Sequence, residues 1–256
     1  MDSAARALSG AVVGDPAATW TTIVDAGWLG AALPEEIGGL GLGAEAQGAI
    51  AWSLGNALAP GPFLAQTAAL AALVAAPASS LRDDAIETAL AGALLTASLV
   101  DDSAGIAGAP LRAVPNAEQK GRLLAFSEEG SRAALVPLGA LGLVARPCAY
   151  WDKTRALFDV ALDARAWKES ETVADGDAAL AMRRAASAAL SAGLAADSLG
   201  GADAILTRTI DYLKTRRQFD RPLAMFQALK HRAADLKTRL AAADALLWRR
   251  LVEPET

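Results

Sequence analysis

No proline interrupts the chain from Asp175 to Thr215, a stretch rich in Ala, Leu and Ile. A run that long without a breaker predicts one helix, roughly 60 Å in length at 1.5 Å per residue. Arg217 to Arg221 then interrupts, and Pro222 suits the first turn of a second helix that can run to about Leu251, before Pro254. Two long sequential helices joined by a short loop normally pack antiparallel. They do not enclose a four-helix core by themselves, so one apolar face is expected to need another subunit or further chain to cover it.

The rest of the chain divides in two ahead of this helical end. Residues 1–92 are rich in alanine and leucine with helical spacing; Ile50, Leu54 and Leu58 recur every fourth residue and are expected to share one face. Gly38, Gly39, Gly41 and Gly43, and then Pro60-Gly61-Pro62, break the pattern, which predicts several short helices joined by tight loops. From residue 93 to 168 short apolar runs alternate with turn residues. Phe158, Val160 and Leu162 alternate with Asp159, Ala161 and Asp163 at the strand period, and Leu123–Phe126 and Ala133–Leu138 are also strand-like. The expectation is a multidomain α and β chain: an N-terminal helical domain (1–92), a small middle antiparallel β domain (93–168) and a C-terminal helical domain of two long helices forming an incomplete bundle (169–256).

Composition removes several function classes. Twenty-four basic residues face 29 acidic ones, a net charge of −5, which argues against a nucleic-acid binder because phosphate neutralisation needs a basic surface. One cysteine, Cys148, and one histidine, His231, exclude a disulfide framework, a cysteine-rich metal site and a His-rich zinc site; no metal is expected. Residues 46–81 carry no charge, but Pro60, Pro62, Pro77, Asn56 and Gln66 interrupt them and the longest apolar run, Ala68–Ala76, is far short of the ~20 residues of a span. The start, MDSAARALSG, does not read as a signal peptide, so a cytoplasmic protein is expected.

Several apparent motifs lack the context their chemistry needs. Gly41-Leu42-Gly43-Ala44-Glu45-Ala46 fits a dinucleotide pattern, yet nothing before it reads as a buried strand, and the glycines suit tight turns with positive φ. Asp101-Asp102 and Glu128-Glu129 are adjacent acids, which are normally solvated on turns, and His231 lies between Lys230 and Arg232 as a surface or interface residue. The stretch Lys214-Thr215-Arg216-Arg217-Gln218-Phe219 is different. It gathers cationic and amide donors and an aromatic ring at one helix corner. Guanidinium groups suit a pyrophosphate and a phenyl ring suits an adenine face; equally, cations near a helix C-terminus complement its dipole.

Longer stretches separate these two readings. Tyr212-Leu213-Lys214-Thr215-Arg216-Arg217-Gln218-Phe219-Asp220-Arg221-Pro222-Leu223, then Phe226-Gln227 and Lys230-His231-Arg232-Ala233-Ala234-Asp235, resembles the helix-corner motif of the acyl-CoA dehydrogenase family. Gly27-Trp28-Leu29-Gly30 followed by Pro34-Glu35-Glu36-Ile37-Gly38-Gly39-Leu40-Gly41 resembles that family's N-terminal loop, and Trp151-Asp152-Lys153-Thr154-Arg155 the end of its β domain. The nearest likeness is to the bacterial subtype whose members pair as unlike subunits, for example in steroid side-chain breakdown. The resemblance implies FAD as cofactor, an acyl-CoA substrate, a homologous partner subunit across whose interface FAD lies, and electron-transfer flavoprotein as acceptor. Arg216, Arg217 and Gln218 would contact the pyrophosphate and adenosine of the neighbouring subunit's flavin, Phe219 would pack by the adenine, and Phe226 and Gln227 would add contacts from the next helix. In the family's reaction a glutamate removes a proton from Cα and the flavin takes a hydride from Cβ of the thioester.

The sequence also departs from the family pattern. The chain stops at Thr256, before the helices that normally carry the catalytic glutamate, and Met182–Ala195, where some members place it, contains no carboxylate. Leu99-Val100-Asp101-Asp102-Ser103-Ala104-Gly105 is a poor match to the loop that surrounds the flavin ring, and Asp220 stands where a glycine is expected. These departures imply a non-catalytic subunit that completes a partner's FAD site, with no catalytic residue assigned. A flavin-free structural protein, a catalyst with an unusual base, and a desaturating, oxygenating or nitro-compound flavoenzyme on the same fold are the alternatives.

Overall fold

The computed structural model describes residues 15–98, 110–127, 130–151 and 155–252. Asp101-Asp102, Glu128-Glu129, the Leu99–Gly105 match and Asp152–Thr154 therefore lie wholly or partly outside the described residues. The N-terminal lobe holds α1 (Pro16–Asp25), 3-10 turns at Trp28–Gly30 and Glu35–Ile37, α2 (Gly43–Asn56), α3 (Phe63–Val74) and α4 (Ser80–Leu90). Asp15 starts α1 by accepting from the Ala17 and Ala18 amides, and Ser79 starts α4 by accepting from Arg82. The uncharged segment 46–81 takes in most of α2, the start of α4 and the whole of α3, which is buried almost all round. No helix among the described residues is long and apolar enough to cross a membrane.

Gln66 explains how that segment can be central and still contain an amide. It is fully buried, and its side chain donates to the carbonyls of Ala89 (2.9 Å) and Ala93 (3.1 Å) and accepts from the Leu95 amide (3.1 Å). One side chain thus satisfies three backbone groups where α4 ends and the β lobe begins.

The β lobe is two sheets. β1 (Leu95–Thr96), β3 (Arg122–Phe126), β4 (Arg132–Pro137) and β7 (Glu171–Asp175) form one in the order β1-β3-β4-β7; β2 (Leu111–Pro115), β6 (Leu157–Leu162) and β5 (Leu143–Pro147) form the other in the order β2-β6-β5. Pairing is antiparallel except for β1 and β3, which residues 97–121 join as a parallel pair. The four-stranded sheet is covered on both faces. Leu124, Ala133 and Leu135 meet the helices, while Leu123, Ala125 and Val136 meet Val114, Phe158 and Val160 of the second sheet. That double burial accounts for the unbroken apolar runs in β3 and β4, and the single buried face of β6 for its alternation. The sheet also extends beyond the expected limit at residue 168: after a short helix, α5 (Ala164–Glu169), strand β7 returns to pair with β4. Alternation is weak in β7, so its pairing was not visible from periodicity.

The long helix is present as α6 (Gly176–Thr215), and α7 (Gln227–Val252) follows it. The Lys237–Asp203 ion pair (2.7 Å) joins points lying at similar distances on either side of the intervening corner, so the two helices run antiparallel. α6 is fastened to the N-terminal lobe through backbone contact. A Cβ on Gly55 would collide with the carbonyl of Asp197, and one on Gly200 with the carbonyl of Trp52; Asn56 donates to the Gly200 carbonyl at 3.2 Å. Arg155, two residues before β6, grips Asp197 with two hydrogen bonds (2.5 and 3.0 Å), so one turn of α6 contacts both other lobes.

Two local expectations are corrected. Leu58 does not continue the Ile50 and Leu54 face: α2 ends at Asn56, and Leu58 lies beyond it with φ 52° and an exposed side chain. Pro222 does not open the second long helix; it lies in a two-residue strand and precedes a 3-10 turn, Leu223–Met225. Ile205, Tyr212, Met225, Leu236, Leu246 and Val252 are exposed along α6, the corner and α7. Gly200→Ala is expected to lower stability by about 2 kcal/mol, since overpacking costs ~1–3 kcal/mol against rigid backbone and outweighs the propensity gained by alanine. A urea midpoint at or above that of the parent chain would contradict the contact.

Candidate functional site

The corner between α6 and α7 is built by backbone bonds before any side chain acts. The Arg216 amide donates to Tyr212 (2.8 Å) as the last helical bond, and Arg216 itself turns extended at φ −70°, ψ 125°. The chain then doubles back. β8 (Arg217–Gln218) pairs with β9 (Arg221–Pro222), leaving Phe219 and Asp220 as a two-residue turn with φ 51° and 60°. Left-handed backbone at both central positions is the geometry that follows the right-handed strand twist in a tight hairpin. The Leu223 amide closes the loop onto the Arg216 carbonyl at 2.8 Å, and the Phe226 carbonyl accepts from Leu229 and Lys230 (both 3.1 Å) to begin α7.

All six residues singled out from sequence, Arg216, Arg217, Gln218, Phe219, Phe226 and Gln227, lie on this one corner, and their side chains are arranged unequally. Arg217 donates to the Asp220 carbonyl (2.7 Å) and braces the turn. Lys214 is tied back to Asp211 at 3.1 Å. The Phe219 ring is 85% exposed and meets Phe226 edge to face, with centroids 6.1 Å apart. Arg216, Gln218 and Gln227 are exposed at the base of the hairpin and the start of α7. An aromatic face held out of the fold, beside guanidinium and amide donors, can stack a heterocyclic base and bind an adjacent diphosphate. The glycine expected in place of Asp220 has a physical basis, because this position is left-handed; aspartate occupies that region with less strain than most side chains.

Sequence reasoning did not single out Arg221. Its guanidinium lies over the Phe226 ring, 4.1 Å from the centroid. The five-residue separation spans a strand and a 3-10 turn, so no helical or strand period points to the pair. The remaining candidates fall away from any site. Gly41 and Gly43 have φ 62° and 75° and follow a 3-10 turn, not a strand, so they serve the entry to α2. His231 is exposed. Burial, and then the hydrogen bond to Asp159, pushes the Cys148 thiol above its ordinary value, away from a reactive thiolate.

A helical lobe, a β lobe of two sheets and a pair of long helices with this corner define an acyl-CoA dehydrogenase fold. Models of the family's N-terminal and C-terminal domains match residues 7–82 and 175–255, together more than half of the chain, which belongs to the acyl-CoA dehydrogenase family. Acyl-CoA dehydrogenase IpdE2 of Mycobacterium tuberculosis is 33% identical over 215 residues, covering 84% of this chain and 58% of that protein; the chain thus spans little more than half of that relative's length. Among solved structures, the ChsE4-ChsE5 complex of Mycobacterium tuberculosis superposes with a TM-score of 0.72 at 26% identity, covering 98% of this chain and 79% of the other. A variant of the Tcur3481-Tcur3483 steroid ACAD gives 0.74 at 28%, covering 95% and 70%. The FAD complex of PigA, at 19% identity and a TM-score of 0.79, shares the fold.

Asp220→Gly is expected to tighten the hairpin by roughly 0.5–1 kcal/mol by removing side-chain strain from a left-handed position. The Leu223 amide, bonded to the Arg216 carbonyl, should exchange with deuterium several-fold more slowly. Faster exchange would contradict the turn geometry.

Proposed function

We propose that this chain is a subunit of an FAD-dependent acyl-CoA dehydrogenase that desaturates an acyl-CoA thioester, and that its corner completes the FAD site of a homologous partner subunit. The observation that carries this reading is the projection of Phe219, 85% exposed, from a turn braced by Arg217, with Arg216 at the hairpin's base. Those groups fit the adenosine-diphosphate half of FAD by their chemistry: a ring for the base, a guanidinium for the diphosphate, and the amides of Gln218 and Gln227 for the remaining polar groups. They project outward from the described chain, which suits a flavin held largely by another subunit. When bound, FAD supplies hydride acceptance, and the protein supplies position and electrostatics. Electron-transfer flavoprotein is the acceptor we propose.

The non-catalytic role draws on α6. Between Met182 and Ala195 it carries no carboxylate, and Asp197, two residues further on, is held by Arg155, so this part of the helix offers no free base for a Cα proton. The likeness to the ChsE4-ChsE5 complex and to a steroid ACAD supports a heteromer acting on a steroid-derived or similarly apolar acyl-CoA. The short and aliphatic side chains of Leu190–Leu194 agree with an apolar substrate.

The test is co-expression with a homologous partner subunit. Arg216→Ala is expected to weaken FAD by about tenfold or more, the scale of a lost charge-assisted hydrogen bond, so that the complex loses its flavin absorbance on gel filtration. Unchanged flavin content and activity would overturn the assignment, and absence of flavin from the parent complex would favour a structural protein on this fold.

A further inference from the structure

The corner contains four cations that look equivalent in sequence, Lys214, Arg216, Arg217 and Arg221, but the structure gives them different tasks. Lys214 is neutralised by Asp211 and Arg217 braces the turn carbonyl. Arg221 lies with its guanidinium carbon 4.1 Å from the centre of the Phe226 ring, and the Phe226 ring in turn meets Phe219 at an interplanar angle of 72°. The three side chains form a tier from β9 through the start of α7 to the tip of the hairpin. Phe219 is almost wholly exposed, so an aromatic contact with Phe226 restricts its ring, and the Arg221 contact restricts Phe226. A guanidinium stacked on a ring face is attracted by the ring's quadrupole and is planar enough to cover it.

Resting on the reading that this corner meets the adenosine end of FAD, we propose that Arg221 is a positioning residue: through Phe226 it holds the Phe219 ring in a base-stacking pose, and it makes no contact of its own with the diphosphate. An ordered ring loses less freedom on binding than a mobile one, so the tier increases affinity without adding a contact to the ligand. Arg216 is then the cation for the phosphates, and Arg221 is the support of the stacking surface.

A double-mutant cycle on FAD affinity of the co-expressed complex tests this, with Arg221→Ala, Phe219→Ala and the pair, and with the thermal midpoint of each flavin-free complex as a check on folding. Arg221→Ala is expected to raise the FAD dissociation constant about three- to tenfold with no change in midpoint. In the Phe219→Ala background it should cost nothing further, because the ring it supports is gone. Phe226→Leu should reproduce the Arg221→Ala loss. Additive losses in the cycle would mean that Arg221 touches the ligand itself and would overturn the proposal. So would full affinity in Arg221→Ala when Phe219→Ala and Arg216→Ala both weaken FAD, an outcome that leaves the functional reading intact. Full affinity in all three single variants would instead remove the functional reading, and this proposal with it.

Discussion

The contact between α2 and α6 through Gly55 and Gly200 sets the distance on which the other lobes depend. Side chains larger than hydrogen at these positions would drive the helix backbones apart, because the atoms in the way are the carbonyls of Asp197 and Trp52 and not flexible side chains. Close approach lets Asn56 reach the Gly200 carbonyl and brings Asp197 within reach of Arg155 from the β lobe. The middle of α6 is therefore fixed to two lobes within a single turn, and its C-terminal end is left to project. Anchored at its middle and paired beyond it with α7 through Asp203 and Lys237, the helix carries the hairpin at its end to a defined place.

The arrangement at that end separates rigidity from burial. The hairpin is exposed on nearly every residue, so hydrophobic burial cannot order it. Order comes instead from short-range bonds: Arg217 to the Asp220 carbonyl, the Leu223 amide to Arg216, and the tier of Arg221, Phe226 and Phe219. Each is individually weak at a solvent-facing site, but they act on the same few residues and the covalent turn keeps them close. An exposed aromatic ring is costly in a monomer and useful at an interface, where burying it on a ligand or partner regains the hydrophobic contribution.

Much of this was legible in the sequence where one physical cause acts alone. Absence of proline predicted α6, alternation predicted β6, and unbroken apolar runs predicted β3 and β4, because an uninterrupted helix, one-sided burial and double-sided burial each leave a distinct pattern in the sequence. The corner was visible as a cluster of cations with an aromatic. What was hidden depended on the meeting of distant segments. Gln66 read as an interruption in an apolar run, although its amide joins α4 to the sheet. Leu58 matched the helical period, yet left-handed backbone after Asn56 takes it off the face. Pro222 was compatible with a helix start, and the hairpin with Arg217 took precedence.

The same distinction bears on how a family motif should be interpreted. A run of basic residues suggests one role repeated, since each cation is equally able to meet an anion. Here backbone geometry assigns them in turn: the last helical residues keep Lys214 beside Asp211, the left-handed turn presents the Asp220 carbonyl to Arg217, and the strand pairing of Gln218 with Arg221 swings the latter over Phe226. Arg216, at the point where the helix ends, is left facing outward. Residue type supplies the chemistry available at the corner, and the direction of the backbone at each position decides which part of it reaches a ligand.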